Sequence, residues 1–288
     1  MLHPSGGENV ASNCGALRTL GEQNMAATDS GEARRFRSTA VHYLAGRPPY
    51  PSRLIARVAV LTGLPRGGRV LDLGCGPAQL ALAFAVLGAD VLAIDPESEM
   101  LRVARESAGG TTVRFLHASS ADLGPALGHF DLVVMGRSFH WMDRAETLRR
   151  LDALIQPGGA VVLFGDRHPA VPDNAWRAAW RDVLGGFRAP GPGHPGEGPD
   201  WVRHEAVLLD SAFACVDSVA VIERRQVSVA TLVTRALSQS THNPDSLGAR
   251  VAALEAEVTQ TLESFAVEGM ITEVVESYAL IATRPEAV

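Results

Sequence analysis

The sequence predicts an α/β fold: a mostly parallel β-sheet with helices on both faces. Three observations predict it. Short apolar runs at residues 70–73, 91–94, 112–116, 130–135 and 160–164 read as buried strands. Helical patterns stand between them, at 80–87, 97–107 and 144–155. Gly74 and Gly76 directly follow the first run, giving a strand, a glycine turn and a helix, the front half of a nucleotide-binding βαβ unit.

Taken in order, residues 1–33 are rich in Gly, Ser, Asn and Ala without a sustained period, and are expected to be a mobile tail. Residues 36–51, FRSTAVHYLAGRPPYP, mix aromatics, arginine and prolines ahead of a helix at 52–62. The first strand, VLDL, carries Asp72 inside it. Glycine lets the backbone turn sharply there and approach a ligand, and the next helix offers its free N–H groups. The third glycine of a dinucleotide fingerprint is absent, because Gln79 holds that place. The second strand ends in Asp95, where a carboxylate can accept hydrogen bonds from ribose hydroxyls. Met100, Leu101, Val103 and Ala104 make one face of the helix after it. The fourth strand runs into Gly136-Arg137-Ser138-Phe139-His140-Trp141. Ligands of open α/β sheets bind outside the carboxyl ends of the strands, so these residues are expected at the reactive rim. Asp143 is placed to cap the helix 144–155, and Pro157-Gly158-Gly159 to end it.

From Gly165 the pattern changes. Three tryptophans (176, 180 and 201) and the proline- and glycine-rich loop 189–200 read as an insertion over a second pocket. A sixth strand at 213–226, a helix or lid at 231–240, a helix at 246–267 and a last strand at 271–283 complete the chain. The expected divisions are the tail 1–33, a cofactor-binding core with its N-terminal lid segment 34–165, a cap 166–212 and the C-terminal part of the sheet 213–288.

Composition narrows the function. The chain has 288 residues, 46% of them hydrophobic, enough for a full core. The net charge of −6 argues against nucleic acid as partner. All 26 basic residues are arginine, the mark of a GC-rich genome, so no lysine can act as base or nucleophile. Cys14, Cys75 and Cys215 are odd in number and scattered, which fits reduced thiols of a cytoplasmic protein and neither a disulfide framework nor a zinc site. No signal peptide, membrane span or metal-ligand spacing is evident.

The string VLDLGCGPAQLALAFAVLGADVLAIDPESEMLRVAR resembles motifs I and II of class I S-adenosylmethionine-dependent methyltransferases. FDLVV at 130–134, QPGG at 156–159 and VVESYALIATRP near the end resemble later marks of the same family. The resemblance implies a Rossmann-like, seven-stranded, mostly parallel sheet with an antiparallel last strand and a helical or loop cap. It implies S-adenosyl-L-methionine as cofactor, S-adenosyl-L-homocysteine as product, and a cofactor site of Asp72, Gly74, Gly76, Gln79, Asp95, Pro96 and Met100. Residues 117–123 fall where the family recognises adenine. The family often has an acid where this chain has Ser119, so Ser120 or Asp122 stands beside it as the adenine contact. Residues 36–51 resemble the entry segment of a small-molecule branch that includes the trans-aconitate type, which would put Tyr43, Arg47 and Tyr50 near the methionine end of the cofactor. A plain helix-entry turn is the other reading of that segment. Arg137 pairs either with the cofactor carboxylate or with an acidic loop residue.

Methyl transfer from a sulfonium needs alignment and, for some acceptors, a base. His140 is the first candidate base, with Asp166 and His168 as rivals on the same rim. The expected activity is methylation of an oxygen or nitrogen of a small polar metabolite by a monomer or homodimer. Antibiotic or other secondary metabolism is the expected setting, and an amino sugar one candidate acceptor. The competing classes are an NAD-dependent oxidoreductase on a related sheet and a non-catalytic cofactor-binding module.

Overall fold

A computed structural model describes residues 44–188, 200–239 and 241–286. The expected tail and Tyr43 lie outside the described residues, as do loop positions 189–199. The described chain forms a seven-stranded sheet of the expected class. In chain order its elements are α1 (Ser52–Leu61), β1 (Arg69–Leu73), α2 (Gln79–Val86), β2 (Asp90–Asp95), α3 (Ser98–Ala108), β3 (Arg114–His117), β4 (Phe130–Gly136), α4 (Arg144–Asp152), β5 (Ile155–Arg167), α5 (Trp176–Phe187), α6 (His204–Leu209), β6 (Cys215–Ser228), α7 (Val229–Leu237), α8 (Pro244–Leu247), α9 (Val251–Glu263) and β7 (Met270–Thr283).

The strand order is β3-β2-β1-β4-β5-β7-β6. The first five strands are parallel, and β7 runs antiparallel between β5 and β6. The chain winds outward from β1 to β3, then returns to place β4 on the other side of β1. That reversal opens a crevice between β1 and β4 at their carboxyl ends.

Alternation along the strands builds two cores. Val70, Val91, Ala93, Leu132, Val134, Val162 and Phe164 face α1, α2 and α3, meeting Leu54, Val58, Leu80, Phe84 and Leu101. Leu71, Leu73, Ile94, Val133, Met135 and Leu163 face the other way, onto Leu148 and Leu151 of α4 and Leu208 of α6. A third core lies beyond the ends of β6 and β7. There Trp176, Trp180 and Leu184 of α5 pack with Leu232 of α7 and Leu254, Val258 and Leu262 of α9.

Some elements differ from expectation, each for a local reason. The side chain of Asp143 caps α4 as expected, accepting from Glu146 N at 3.0 Å. That helix ends at Asp152, however, and β5 already begins at Ile155. The Pro157-Gly158-Gly159 turn therefore sits inside the strand as a kink, with Gly158 at φ +79° and a register shift opposite Phe130/Leu132. The single helix expected over 246–267 is two, because Gly248 at φ +54° separates α8 from α9. In the tryptophan-rich stretch, expected as a helical or loop cap, Trp176, Trp180 and Leu184 repeat at helical spacing and form the buried face of α5.

Candidate functional site

The carboxyl ends of the first five strands open into one cavity of about 850 Å³. Each strand contributes the residues that follow it. Gly74 and Gly76 come after β1, Asp95 to Glu97 close β2, and Ala118 to Ser120 follow β3. The run Gly136 to Met142 leaves β4, and Gly165 and Asp166 end β5. Arg47, Arg177, His204, Gln239, Thr241 and Tyr278 complete the wall from the other side.

At the β1–β2 end the cavity is shaped by backbone and carboxylates. Gly74 sits at φ +69°, and a Cβ there would meet Ser138 Cβ at 2.6 Å, so only glycine lets β4's exit loop approach. Gly76, at φ +52°, lines the cavity, and a Cβ on it meets nothing within 4 Å. Asp95 is buried. Its Oδ2 accepts from Gly76 N at 2.7 Å and its Oδ1 from Glu97 N at 2.8 Å, so the carboxylate ties the glycine turn to the end of β2. Asp72 accepts from Ala81 N at 2.8 Å through Oδ2, while its buried Oδ1 has no hydrogen-bond partner among the described residues. With Gly74, Cys75 and Gln79, Asp72 lines a small side pocket rather than the main cavity.

Both carboxyls pay for burial. Desolvation pushes Asp72 up to about 7, against the hydrogen bond from Ala81 and with the nearby Asp95 adding to the rise. Desolvation likewise pushes Asp95 up to about 6, against the hydrogen bonds from Glu97 and Gly76. Folded, these groups hold protons that the unfolded chain, with carboxyls near 3.8, has already released. Their contribution to stability therefore falls as pH rises from about 4 to about 7. Ligand-free Asp72→Asn protein is expected to show a shallower decline of the urea midpoint than wild type between pH 5 and pH 7 (roughly this window). Parallel curves for the two proteins would contradict the assignment to Asp72.

Arg137 leaves β4 in the left-handed region, at φ +55°. Its side chain ion-pairs with Asp166 through Nε, donates from Nη2 to Pro48 O at 3.1 Å, and covers the Tyr50 ring at 4.4 Å. The backbone strain is thus held by contacts to β5 and to the segment before α1. Burial raises the Asp166 carboxyl, but the Arg137 charge and hydrogen bond outweigh it and hold it below the usual carboxylate range.

His140 lines the cavity beside Trp141, ring centroids 5.2 Å apart, with His204 of α6 stacked at 6.4 Å. Burial, with Arg144 adding, lowers His204 to about 4, so its imidazole is neutral at physiological pH. His168 lies elsewhere. Its Nε2 is 2.6 Å from Glu273 Oε1, and a carboxylate there makes that nitrogen the donor. The Glu273 side chain is fully buried and also accepts from Arg225 at 2.9 Å and from Arg235.

The expected site residues divide accordingly. Arg47, Gly74, Gly76, Asp95, Pro96, Met100, Ser119, Ser120, Arg137, His140 and Asp166 are brought together on the cavity wall. Asp72 and Gln79 stand one layer behind, in the side pocket. Two expectations are corrected. Asp122 does not line the cavity: its carboxylate accepts from Ser119 N and Ser119 Oγ, both at 2.8 Å, and so shapes the loop that presents Ser119 and Ser120. His168 does not line it either, because Glu273 draws its ring into the core. Arg177, His204, Gln239 and Tyr278 were not singled out from the sequence, whereas Thr241, which the sequence offers either as a pocket residue or as part of a polar helix face, does line the cavity. The wall they form comes from elements remote in sequence, and only the tryptophan spacing of α5 hinted at where Arg177 would stand.

Fold and site together define an open α/β sheet whose switch point presents a glycine turn and a buried acid to a nucleoside-sized cavity. Residues 70–159, from β1 into β5, match the family model described as a methyltransferase domain. An uncharacterized methyltransferase of Mycobacterium tuberculosis is 33% identical over 129 residues, 44% of this chain and 50% of that protein. A ubiquinone biosynthesis O-methyltransferase of Xanthomonas axonopodis pv. citri is 39% identical over 103 residues, 34% of this chain and 43% of that protein. The chain thus spans half the length or less of these curated relatives. Among solved structures, a SAM-dependent methyltransferase from Thiobacillus denitrificans in complex with S-adenosyl-L-homocysteine aligns with TM-score 0.50 at 16% identity, over 87% of this chain and 97% of that one. YJHP from E. coli aligns with TM-score 0.52 at 16% identity, over 87% and 99%. At such identities the structures establish the shared Rossmann-like fold. Among the described residues no helix is long and apolar enough to cross a membrane, and no group of three or more His, Cys, Asp or Glu could hold a metal ion.

Proposed function

We propose that the chain transfers a methyl group from S-adenosyl-L-methionine to an oxygen or nitrogen of a small polar molecule. The observation that carries this reading is the pair of Gly76 and Asp95 at the switch point, tied by a 2.7 Å hydrogen bond and opening on the cavity. The matched methyltransferase domain covers both residues. The residues present fit the cofactor. Asp95 offers a carboxylate to ribose hydroxyls, while Met100, Pro96, Ala118, Ser119 and Ser120 offer an apolar and hydroxylic bed to adenine. The unpartnered Oδ1 of Asp72, beside Gly74, is a buried acceptor suited to an ammonium group. Bound there, the cofactor would supply a methyl carbon activated for in-line displacement.

The chain's own work is alignment and proton handling. Arg47 and Arg137 border the methionine end. His140 takes the proton of the nucleophile at a ring nitrogen, while Asp166, held ionised by Arg137, fixes the far rim. Arg177 of α5 and, just after α7, Gln239 and Thr241 line the cavity, and we read the helical lobe they belong to as the cap over the acceptor side. Small-molecule metabolism, antibiotic or other secondary metabolism included, is the setting we read for it, and an amino sugar is the cationic acceptor to assay beside anionic ones. An oxidoreductase is disfavoured because Gln79 replaces the third glycine.

Titration calorimetry with S-adenosyl-L-homocysteine, with NAD as control, tests the cofactor. Micromolar binding of the first alone supports the reading, and binding of NAD alone overturns it. Once turnover is found, His140→Ala is expected to lower kcat by about 100-fold with little change in the affinity for S-adenosyl-L-homocysteine. A rate unchanged across pH at saturating substrate would remove His140 from the role.

A further inference from the structure

Around the exits of β4 and β5 the cavity wall carries more positive than negative charge. Arg47, Arg137 and Arg177 all line it. Asp166 is the only carboxylate that the β5 rim adds to this wall, and it is paired with Arg137. Asp95 and Glu97 stand at the other end, beyond β2. Glu273, the next acid inward, is already engaged by His168, Arg225 and Arg235.

Arg177, on the first turn of α5, is the cation left over. Its carbonyl accepts from Arg181 Nε at 3.4 Å, but its guanidinium has no hydrogen bond or ion pair with a described residue, and lies 5.8 Å from the Trp176 ring. Burial disfavours its charge, Glu273 opposes that effect, and Arg181 and Arg235 add to it. A guanidinium stays charged in proteins, so this one is partly stripped of water with no anion in contact, Glu273 and Asp166 acting on it only at a distance. Gln239 and Thr241 line the cavity with it, on a turn tied to α5 by His242 Nε2 donating to Leu184 O at 2.7 Å.

We infer that Arg177 is the residue that selects the methyl acceptor, its guanidinium receiving a carboxylate or phosphate group of that molecule in the cavity. The inference rests on reading the cavity as a methyl-transfer site and names its substrate class as anionic. The planar fork of arginine matches either oxyanion with two parallel hydrogen bonds. A protonated amine at the same place would meet the Arg177 guanidinium and, as the carboxylate of the β5 rim, only Asp166, already paired with Arg137, so the charge pattern disfavours cationic acceptors.

The test titrates benzoate, inorganic phosphate and glucosamine into the protein, both saturated with S-adenosyl-L-homocysteine and without it. Wild type is expected to bind benzoate or phosphate and not glucosamine, and the stronger of the two anions identifies the oxyanion. Arg177→Gln is expected to weaken that binding at least about tenfold, and Arg177→Lys, which keeps the charge but not the fork, to fall between. The affinity for S-adenosyl-L-homocysteine should be unchanged in both variants. The lysine variant separates loss of recognition from loss of fold. Anion affinity equal in wild type and Arg177→Gln overturns the proposal. So does glucosamine binding in place of the anions, or binding of neither anion by wild type, loaded or not. Failure of S-adenosyl-L-homocysteine alone to bind counts against the cofactor reading, and the titrations without it still report on Arg177.

Discussion

Glu273→Ala is expected to destabilise the protein by roughly 3–5 kcal/mol, which lowers the thermal midpoint by on the order of 10 °C. The carboxylate is fully buried on β7 and receives hydrogen bonds from His168, Arg225 and Arg235. Arg235 is itself buried and also donates from Nε to Gly46 O at 2.8 Å, so one residue of α7 joins the closing strand to the segment ahead of α1. Removing the acid leaves a buried guanidinium without its counter-charge, which costs more than the pair was worth. Replacing both partners, as in Glu273→Leu with Arg235→Met, is therefore expected to lose less than Glu273→Ala alone. A melting curve for Glu273→Ala that overlays wild type would show that the network is not holding the closing strand.

The same residue sets the acid limb of stability. Burial raises the Glu273 carboxyl, but the hydrogen bonds from His168 and Arg235 outweigh it and hold it far below the ordinary glutamate value. A depressed carboxyl contributes above its unfolded pKa, and that contribution is lost as pH falls through and below the ordinary range. Asp72 and Asp95 act in the opposite sense, losing ground as pH rises toward about 7. The two slopes oppose each other, and His204, lowered to about 4 by burial, adds a rise in stability with pH up to the ordinary histidine range. Asp72 and Asp95 therefore flatten the neutral limb of the ligand-free protein rather than set its optimum alone.

What the sequence disclosed follows from the range of each interaction. β1, β2, β4 and the later part of β5 are buried on both faces, so each had to be a short apolar run and could be seen. The edge strand β3 showed through its apolar Phe115 and Leu116 although it is only partly buried. The glycine turn and Asp95 were legible because the backbone conformation at Gly74 and Gly76 constrains the residue type locally. His168 was misplaced because its partner Glu273 is 105 residues away and no spacing rule connects them. Asp122 was read toward the ligand when it caps its own loop, a choice of side-chain direction that residue type alone does not settle. The start of β5 was missed because Pro157-Gly158-Gly159 carries the same letters whether it stops a helix or kinks a strand. Arg177 was hidden by its neighbours: the tryptophans at 176 and 180 mark a buried stripe, and the arginine beside that stripe reads as solvated until the fold turns α5 toward the cavity.

The two glycines of the turn, only two positions apart, are expected to fail in different ways when substituted. Gly76→Val puts a side chain on the cavity wall, where the first added carbon meets no protein atom within 4 Å. Its cost to the fold is the left-handed backbone at φ +52°, about 1–2 kcal/mol. Its cost to the ligand is the space a nucleoside would occupy against the backbone, and affinity for S-adenosyl-L-homocysteine should drop by at least about 100-fold. Gly74→Ala carries the same backbone strain at φ +69° and adds a collision with protein. The new methyl would lie 2.6 Å from Ser138 Cβ and 3.1 Å from Met142 Cε. Ser138 cannot yield easily, since it is buried and its hydroxyl donates to Leu73 O at 2.9 Å, joining the ends of β1 and β4. Gly74→Ala should therefore lose stability well beyond Gly76→Val, by roughly a further 1–3 kcal/mol, and lose binding as a consequence. Calorimetry and thermal melting on the two variants separate the cases. If Gly76→Val binds S-adenosyl-L-homocysteine as wild type does, the ligand does not approach this turn, and the cofactor reading of the switch point fails with it.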